Sequence, residues 1–233
     1  MSYKEKDKED IEIEMRAFED TEPEIIKCEI EIGVESDNKS GSLSPSNEKQ
    51  EDEYGEKYYK EYKWGVPKWE NHNARIADYL YNKYHPVKVL DVGCGTGVLI
   101  SQLRDRGIDA WGFDNSQYAI NNVKKEHKAW FFKADMRDYK FSHKNHWDMI
   151  LMIEIMEHIS LEEAKEIIKK ACAITNRIIF SSDPEFPDDR CPSHQFGLSI
   201  EEWDKIFEGN EFCRGDKIGC ICPWAYEYKR GIK

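Results

Sequence analysis

Along most of the chain, short runs of apolar residues alternate with segments in which apolar residues recur every three or four positions. This alternation alone predicts a class of fold. Short apolar runs are typical of buried strands, and apolar residues that recur every three or four positions are typical of one face of a helix. Predicted strands cover 87–92, 110–114, 129–134, 147–153 and 177–182, with a closing pair within 212–228. Predicted helices cover 72–84, 97–106, 116–125, 161–172 and 199–208. This order favours an α/β domain with a mainly parallel sheet and helices on both faces.

The first 52 residues do not follow this pattern. They hold 17 acidic and 7 basic residues, whereas the rest of the chain holds 29 acidic and 27 basic residues. The stretch 36–53 has almost no apolar side chains to bury, which is typical of disorder. We therefore expect a disordered acidic tail over 1–52, an aromatic lead-in and helix that act as a lid over 53–84, and the main domain over 85–233.

The composition of the chain argues against nucleic acids and membranes as binding partners. The body after the tail is nearly neutral, while proteins that bind a nucleic-acid backbone usually carry a basic excess. No apolar run approaches the roughly 18 residues that span a membrane, and the charged opening segment lacks the apolar stretch of a signal peptide. The 7 cysteines have irregular spacing without a CxxC motif, which fits a reducing compartment. We expect a cytoplasmic protein with free thiols that uses neither nucleic acid nor a membrane as partner.

The most informative motif joins the first predicted strand to the following helix, where residues 89–97 are VLDVGCGTG. Glycine permits positive φ angles and lets the backbone approach a ligand closely. The helix that follows offers free N–H groups at its N-terminus. A dinucleotide-binding fold expects GxGxxG, but Val98 occupies the sixth position. The loop is therefore GxGxG, and the usual dinucleotide pattern is excluded.

Acidic residues end the next two predicted strands. Asp114 closes the second strand about 20 residues after the loop, where an acid can accept both hydroxyls of a ribose. Asp135 and Met136 follow the third strand. Because ligands bind at the carboxyl ends of strands in such sheets, the loop and these acids are expected to share one crevice.

These strand ends resemble the class I S-adenosylmethionine (SAM)-dependent methyltransferases, and the resemblance covers about 72–233. It implies a Rossmann-like, doubly wound, mainly parallel sheet of seven strands with the last strand antiparallel. It also implies SAM as cofactor, with Asp114 at the ribose, Asp135 at the adenine amino group, Met136 on the adenine ring and Asp91 near the SAM amino group. The expected SAM-binding residues are Asp91, Gly93, Cys94, Gly95, Gly97, Asp114, Asn115, Asp135, Met136 and Glu154.

The segment after the fourth strand supplies candidate catalytic residues. Glu154, Glu157 and His158 have i, i+3, i+4 spacing, so a helical turn would place all three on one side. His194, in a loop rich in proline and aspartate, is expected to meet His158 across the pocket. In one interpretation these four residues are catalytic, and His158 removes a hydroxyl proton as general base. In another, the same four bind a divalent cation that lowers the pKa of the hydroxyl. A purely structural role, capping a helix and holding the loop, stays open.

The second interpretation resembles the small-RNA 3'-terminal 2'-O-methyltransferases, which carry a Glu-x-x-Glu-His motif and a later histidine. The ubiquinone-pathway O-methyltransferases have a similar segment. Four other segments carry a further resemblance: YGEKYYKEYKWGVP, SSDPEF followed by a histidine, IEEWDKIFEGNEF and PWAYEYKR. Through them, over about 54–230, the chain is more similar to bacterial methyltransferases found in carbohydrate and secondary-metabolite gene neighbourhoods. The leading hypothesis is therefore SAM-dependent methyl transfer to a small molecule or sugar, at oxygen. The alternatives are a metal-dependent RNA 3'-terminal 2'-O-methyltransferase and a non-catalytic SAM-binding scaffold.

Overall fold

A computed structural model describes residues 54–61, 67–142, 146–184 and 193–231, so the predicted acidic tail over 1–52 lies outside the described residues. The elements in chain order are α1 (Glu56–Glu61), α2 (Pro67–Tyr84), β1 (Lys88–Val92), α3 (Val98–Arg104), β2 (Asp109–Asp114), α4 (Gln117–Asn121), β3 (Phe131–Lys133), β4 (Met149–Ile153), α5 (Leu161–Ile174), β5 (Arg177–Ser181), α6 (Ile200–Glu208), β6 (Phe212–Lys217) and β7 (Tyr226–Arg230). Two short 3-10 turns, Lys125–Trp130 and Met156–His158, lie between them.

The strands form one 7-stranded sheet with the order β3-β2-β1-β4-β5-β7-β6. Neighbours from β3 through β5 pair in parallel, and β7 is antiparallel to both β5 and β6. The predicted α/β sheet, mainly parallel with its last strand antiparallel, is confirmed. The strand order reverses between β1 and β4, and in open α/β sheets this switch point opens a crevice at the carboxyl ends of the strands.

Strand β4 (MILMI) is buried on both faces, as its unbroken apolar sequence predicts, and β1 is packed on both faces in the same way. On one face, Leu90 and Ile150 pack with α5 and α6 in a large apolar cluster. On the other face, Val89 and Met149 pack with α2 and α3. Because β1 and β4 are packed on both faces, their positions are fixed. The loops that follow their carboxyl ends therefore start from fixed points.

Helix α2 begins at Pro67, five residues before its predicted start, and the predicted boundaries around α4 and β3 were also wrong. The helix predicted over 116–125 ends at Asn121, where the side chain of Asn122 donates a 2.7 Å hydrogen bond to the carbonyl of Tyr118. Such local side-chain bonds compete with helix continuation. The chain then forms the 3-10 turn Lys125–Trp130, which covers the first residues predicted for the third strand.

None of the described helices is both long and apolar enough to cross a membrane. The longest, α2, has 18 residues, but its polar residues are too numerous for a span.

A capping box fixes the start of α5 directly after the Met156–His158 turn. Ser160 accepts a hydrogen bond from the backbone of Glu163, and the Glu163 side chain accepts one from the backbone of Ser160 at 2.9 Å. Two otherwise unpaired N–H groups are satisfied in this way. The box therefore holds the end of the turn that carries Glu157 and His158.

Replacing Ser160 by alanine is expected to lower the free energy of unfolding by about 1 kcal/mol, because the cap oxygen is lost. Ser160→Gly is the matched control and is expected to cost only a few tenths of a kcal/mol (about 0.3). Urea unfolding followed by circular dichroism measures both values. Equal losses in the two variants would contradict the capping role.

Candidate active site

The glycine loop after β1 is bonded to the end of β2. The N–H groups of Gly93 and Cys94 both donate to the carbonyl of Phe113, at 2.9 and 3.0 Å. Gly93 has φ +75°, and a Cβ there would lie 2.6 Å from Cδ1 of Ile155. Glycine is required at this position by its backbone conformation and by the residue above it.

Gly97 serves a different purpose from the other two loop glycines. It has φ +71° and is the N-cap of α3. It is buried, and a Cβ would collide with the ring of Phe131 on β3. This glycine therefore lets α3 pack closely on the sheet, and it does not line the cavity described next.

A cavity of about 500 Å³ opens where β1, β2 and β4 end. Its volume lies within the range of roughly 300–1,000 Å³ that is typical of small-ligand sites. All of the predicted SAM-binding residues except Gly97 line it, and so do the remaining predicted catalytic residues: Asp91, Gly93, Cys94, Gly95, Asp114, Asn115, Asp135, Met136, Glu154, Glu157, His158 and His194. The predicted site residues other than Gly97 therefore lie around one cavity.

Two buried carboxylates form one end of the cavity. Asp114 accepts hydrogen bonds from the backbone N–H groups of Gly95 and Ser116, each at 2.8 Å. Burial raises the pKa of Asp114 despite these bonds. Burial, and then the charge of Asp114, raise the pKa of Asp91 to about 8. A cation or a hydroxyl donor placed here would relieve the cost of burying these acids.

Asp135 has a partner that the sequence analysis did not anticipate. The Nε atom and the backbone N–H of Arg137 donate to the Asp135 carboxylate at 2.8 and 2.9 Å, and a second guanidinium nitrogen binds the other carboxylate oxygen. Burial alone would raise the pKa of Asp135, but the hydrogen bonds from Arg137 outweigh burial and lower it. The predicted contact of Asp135 with adenine would have to share this carboxylate with Arg137.

Glu154 does not belong to a helical turn with Glu157 and His158, so that prediction was wrong. Its φ of +52° is left-handed, its N–H bonds to the carbonyl of Ser181 at 3.0 Å, and the 3-10 turn begins only at Met156. Its carboxylate accepts a hydrogen bond from Nε1 of Trp224 at 2.9 Å. Glu154 is therefore aimed away from the turn, toward the loop before β7.

Glu157, His158 and His194 do converge. Their potential ligand atoms all lie within 4.8 Å of one another, and the two imidazole rings are 4.9 Å apart. Gln195 fixes the loop that carries His194, because its N–H bonds to the carbonyl of Glu157 at 2.7 Å. The predicted meeting of His158 and His194 across the pocket is confirmed.

The two buried groups of this cluster both favour their neutral forms. Burial, and then the Glu154 charge, raise the pKa of Glu157 to about 8. Burial, and then His194, lower the pKa of His158 to about 4. At neutral pH, His158 is thus an uncharged imidazole that can accept a proton.

Several residues in the cavity lining, or in contact with it, escaped the sequence analysis. The Tyr54 hydroxyl and Ser193 Oγ each lie 3.0 Å from Nδ1 of His158. Tyr58 and Cys222 also line the cavity. The density of aromatic residues in the lead-in predicted that this segment packs on the domain or closes over a pocket, but it did not single out Tyr54 or Tyr58. No spacing signal connects Ser193 or Cys222 with the strand ends.

Comparison with known proteins agrees with this geometry. Residues 89–177 match the family model of a methyltransferase domain. The ubiquinone biosynthesis O-methyltransferase of Pelagibacter ubique (strain HTCC1062) is 30% identical over 92 residues, which are 36% of this chain and 38% of that protein. The corresponding protein of Aromatoleum aromaticum is 27% identical over 97 residues, 39% of this chain and 38% of that protein. The chain thus spans well under half the length of the curated relatives it matches.

Solved structures share the fold. The SAM-bound magnesium protoporphyrin IX methyltransferase of Synechocystis PCC 6803 superposes with a TM-score of 0.61 at 16% identity, covering 82% of this chain and 100% of that one. A SAM-bound amino pentose methyltransferase from Micromonospora echinaspora gives a TM-score of 0.57 at 13% identity, covering 74% and 96%. Residues 89–177 are therefore similar to a methyltransferase domain, and the chain shares its fold with solved SAM-dependent methyltransferases.

Proposed function

We propose that this protein binds SAM in the 500 Å³ cavity and transfers its methyl group to an oxygen of a small molecule or sugar. One observation carries the proposal. The glycine loop, the acids Asp91 and Asp114, and a neutral His158 line a single cavity at the switch point of the sheet.

The cavity suits the cofactor in shape and charge. Gly93 and Gly95 leave room that a side chain would fill, and the backbone of the loop is exposed to a ligand there. Asp91 and Asp114 are buried acids, and they match the ammonium and sulfonium charges and the ribose hydroxyls of SAM. When bound, SAM supplies an electrophilic methyl carbon.

The protein contributes alignment and a base. In-line displacement requires the acceptor oxygen and the methyl carbon to be held close together, which a rigid sheet edge favours. As the acceptor oxygen bonds to the methyl carbon and the C–S electron pair stays on sulfur, the hydroxyl proton moves to His158. Because burial lowers its pKa, His158 is uncharged at neutral pH and offers a lone pair to this proton, while the same shift makes the imidazole a weaker base.

The proposed class of methyl acceptor is supported by the similar proteins and by the charge of the chain. The matched curated relatives are named as O-methyltransferases of ubiquinone biosynthesis, and a solved structure of the same fold is named as an amino pentose methyltransferase. The body of the chain is nearly neutral, without the basic excess typical of nucleic-acid partners. A small molecule or sugar is therefore the acceptor class that we propose.

Replacing Asp114 by asparagine is expected to weaken binding of S-adenosylhomocysteine by about tenfold or more, because a buried charge-assisted hydrogen bond is lost. Isothermal titration calorimetry measures the affinity, and thermal unfolding without ligand checks the fold. Asp78→Asn, at an exposed position on α2, is the matched control and should bind normally. Unchanged affinity in Asp114→Asn would refute the ribose role.

Methyl transfer itself is tested with labelled SAM and fractionated cell extract, followed by mass spectrometry of the labelled product. We expect one labelled small molecule, and a loss of about 10²-fold or more in rate for His158→Ala. The affinity of this variant for S-adenosylhomocysteine should stay close to that of the wild type. Binding without transfer to any fraction would instead support a non-catalytic scaffold.

A metal-assisted reaction is the second candidate, because one carboxylate and two imidazoles converge at Glu157, His158 and His194. This donor set suits a divalent transition metal, which would lower the pKa of the acceptor hydroxyl in place of a base. Glu154, the fourth residue of the predicted set, lies outside the cluster. With such a metal, the terminal hydroxyl of an RNA 3' end is a second possible methyl acceptor.

Chelation distinguishes the two candidates. If His158 is the base, transfer should survive exhaustive dialysis against EDTA, and wild-type and His194→Ala proteins should bind Mn²⁺ equally weakly. Loss of transfer on chelation, recovery with Mn²⁺, and metal binding that disappears in His194→Ala would establish the metal-assisted reaction instead. A short RNA is then included among the acceptors.

A further inference from the structure

Tyr54 is anchored at the ribose end of the cavity through its backbone. The hydroxyl of Ser116 donates a 2.6 Å hydrogen bond to the carbonyl of Tyr54. The same serine caps α4 by accepting from the N–H of Ala119 at 3.1 Å, and its own N–H bonds to Asp114. The main chain of Tyr54 is thus tied to the strand end that carries the proposed ribose acid.

The side chain of Tyr54 reaches the opposite end of the cavity. Its hydroxyl lies 3.0 Å from Nδ1 of His158, and the two rings meet edge-on with centroids 5.6 Å apart. One residue therefore spans the cavity from the end of β2 to the turn after β4.

The segment that follows Tyr54 is packed firmly on the domain. Tyr58 meets the Tyr54 ring edge-on at 5.1 Å. Tyr59 is only 8% exposed and stacks on Tyr118 of α4 at 5.4 Å. The position of the Tyr54 hydroxyl is consequently set by a chain of aromatic contacts that starts beside the glycine loop.

The placement of the hydroxyl matters because an imidazole accepts a proton only at its unprotonated nitrogen. If the proton of neutral His158 sits on Nδ1 and is donated to a hydroxyl oxygen, Nε2 keeps its lone pair and can act as the base. Ser193 Oγ, 3.0 Å from the same nitrogen, approaches from the loop after β5. Two hydroxyls from distant segments thus hold one ring nitrogen.

We propose that Tyr54 is a positioning residue whose hydroxyl, together with Ser193 Oγ, holds His158 in the tautomer with the proton on Nδ1. This inference rests on the proposed function, since it assigns a task to the base of that reaction.

The test uses Tyr54→Phe in the full chain, which keeps the ring contacts and the carbonyl anchor and removes only the hydroxyl. Tyr81→Phe makes the same change at an exposed position of α2, outside the cavity lining, and is the matched control. Side-chain ¹⁵N NMR of histidine-labelled protein reports the tautomer, with the His158 signals assigned by their absence in His158→Ala. We expect protonated Nδ1 and bare Nε2 in the wild type and in Tyr81→Phe, and a tautomer mixture in Tyr54→Phe.

Binding and turnover separate positioning from folding. The affinity of Tyr54→Phe for S-adenosylhomocysteine should stay within about twofold of the wild type, while kcat falls about tenfold with little change in KM, as expected for one lost hydrogen bond. Adding Ser193→Ala should deepen the loss of kcat.

A wild-type His158 with its proton on Nε2, or His158 signals unchanged in Tyr54→Phe, would overturn the proposal. The NMR readout needs neither cofactor nor acceptor. A failure of SAM binding would therefore refute the proposed function and leave the tautomer result independent.

Discussion

The site depends on one short set of hydrogen bonds that tie the glycine loop to the end of β2. The carbonyl of Phe113 accepts from the first two loop residues, and the Asp114 carboxylate accepts from Gly95. This arrangement needs left-handed backbone at Gly93 and Gly95, which only glycine adopts without strain. With the loop held in this way, Ile155 fits above Gly93, and the turn that carries His158 follows from there.

Burial gives the site its electrostatic character. Asp91, Glu157 and His158 are all buried, and in each case burial is the main cause of a pKa shifted toward the neutral form. Such groups are costly in an empty cavity and become useful when a ligand supplies charge or a proton. These buried groups therefore lower the free energy of unfolding of the empty protein, and packing on both faces of the sheet compensates for that loss.

Sequence pattern predicted the parts that depend on local rules. Strand periodicity, the GxGxG spacing and the acids at successive strand ends sufficed to predict the sheet and the end of the cavity that the glycine loop lines. The contacts that escaped prediction join distant segments: Tyr54 to His158, and Glu154 to Trp224. The i, i+3, i+4 spacing suggested a helical turn, but Glu154 has a left-handed backbone. Its N–H group bonds to the carbonyl of Ser181 on β5, so Glu154 does not start a helix.

The hydrogen bond from Trp224 to Glu154 joins residues 70 positions apart. Residues 89–177, which match the domain model, contain the glycine loop and all the buried acids of the cavity. Tyr54, His194 and Trp224 lie outside that range. The part of the site that matches the domain model and the part contributed by Tyr54, His194 and Trp224 are therefore encoded in separate stretches of sequence. A substitution in the outer stretches can reshape the contacts around His158 and Glu154 without altering the hydrogen bonds that hold the glycine loop.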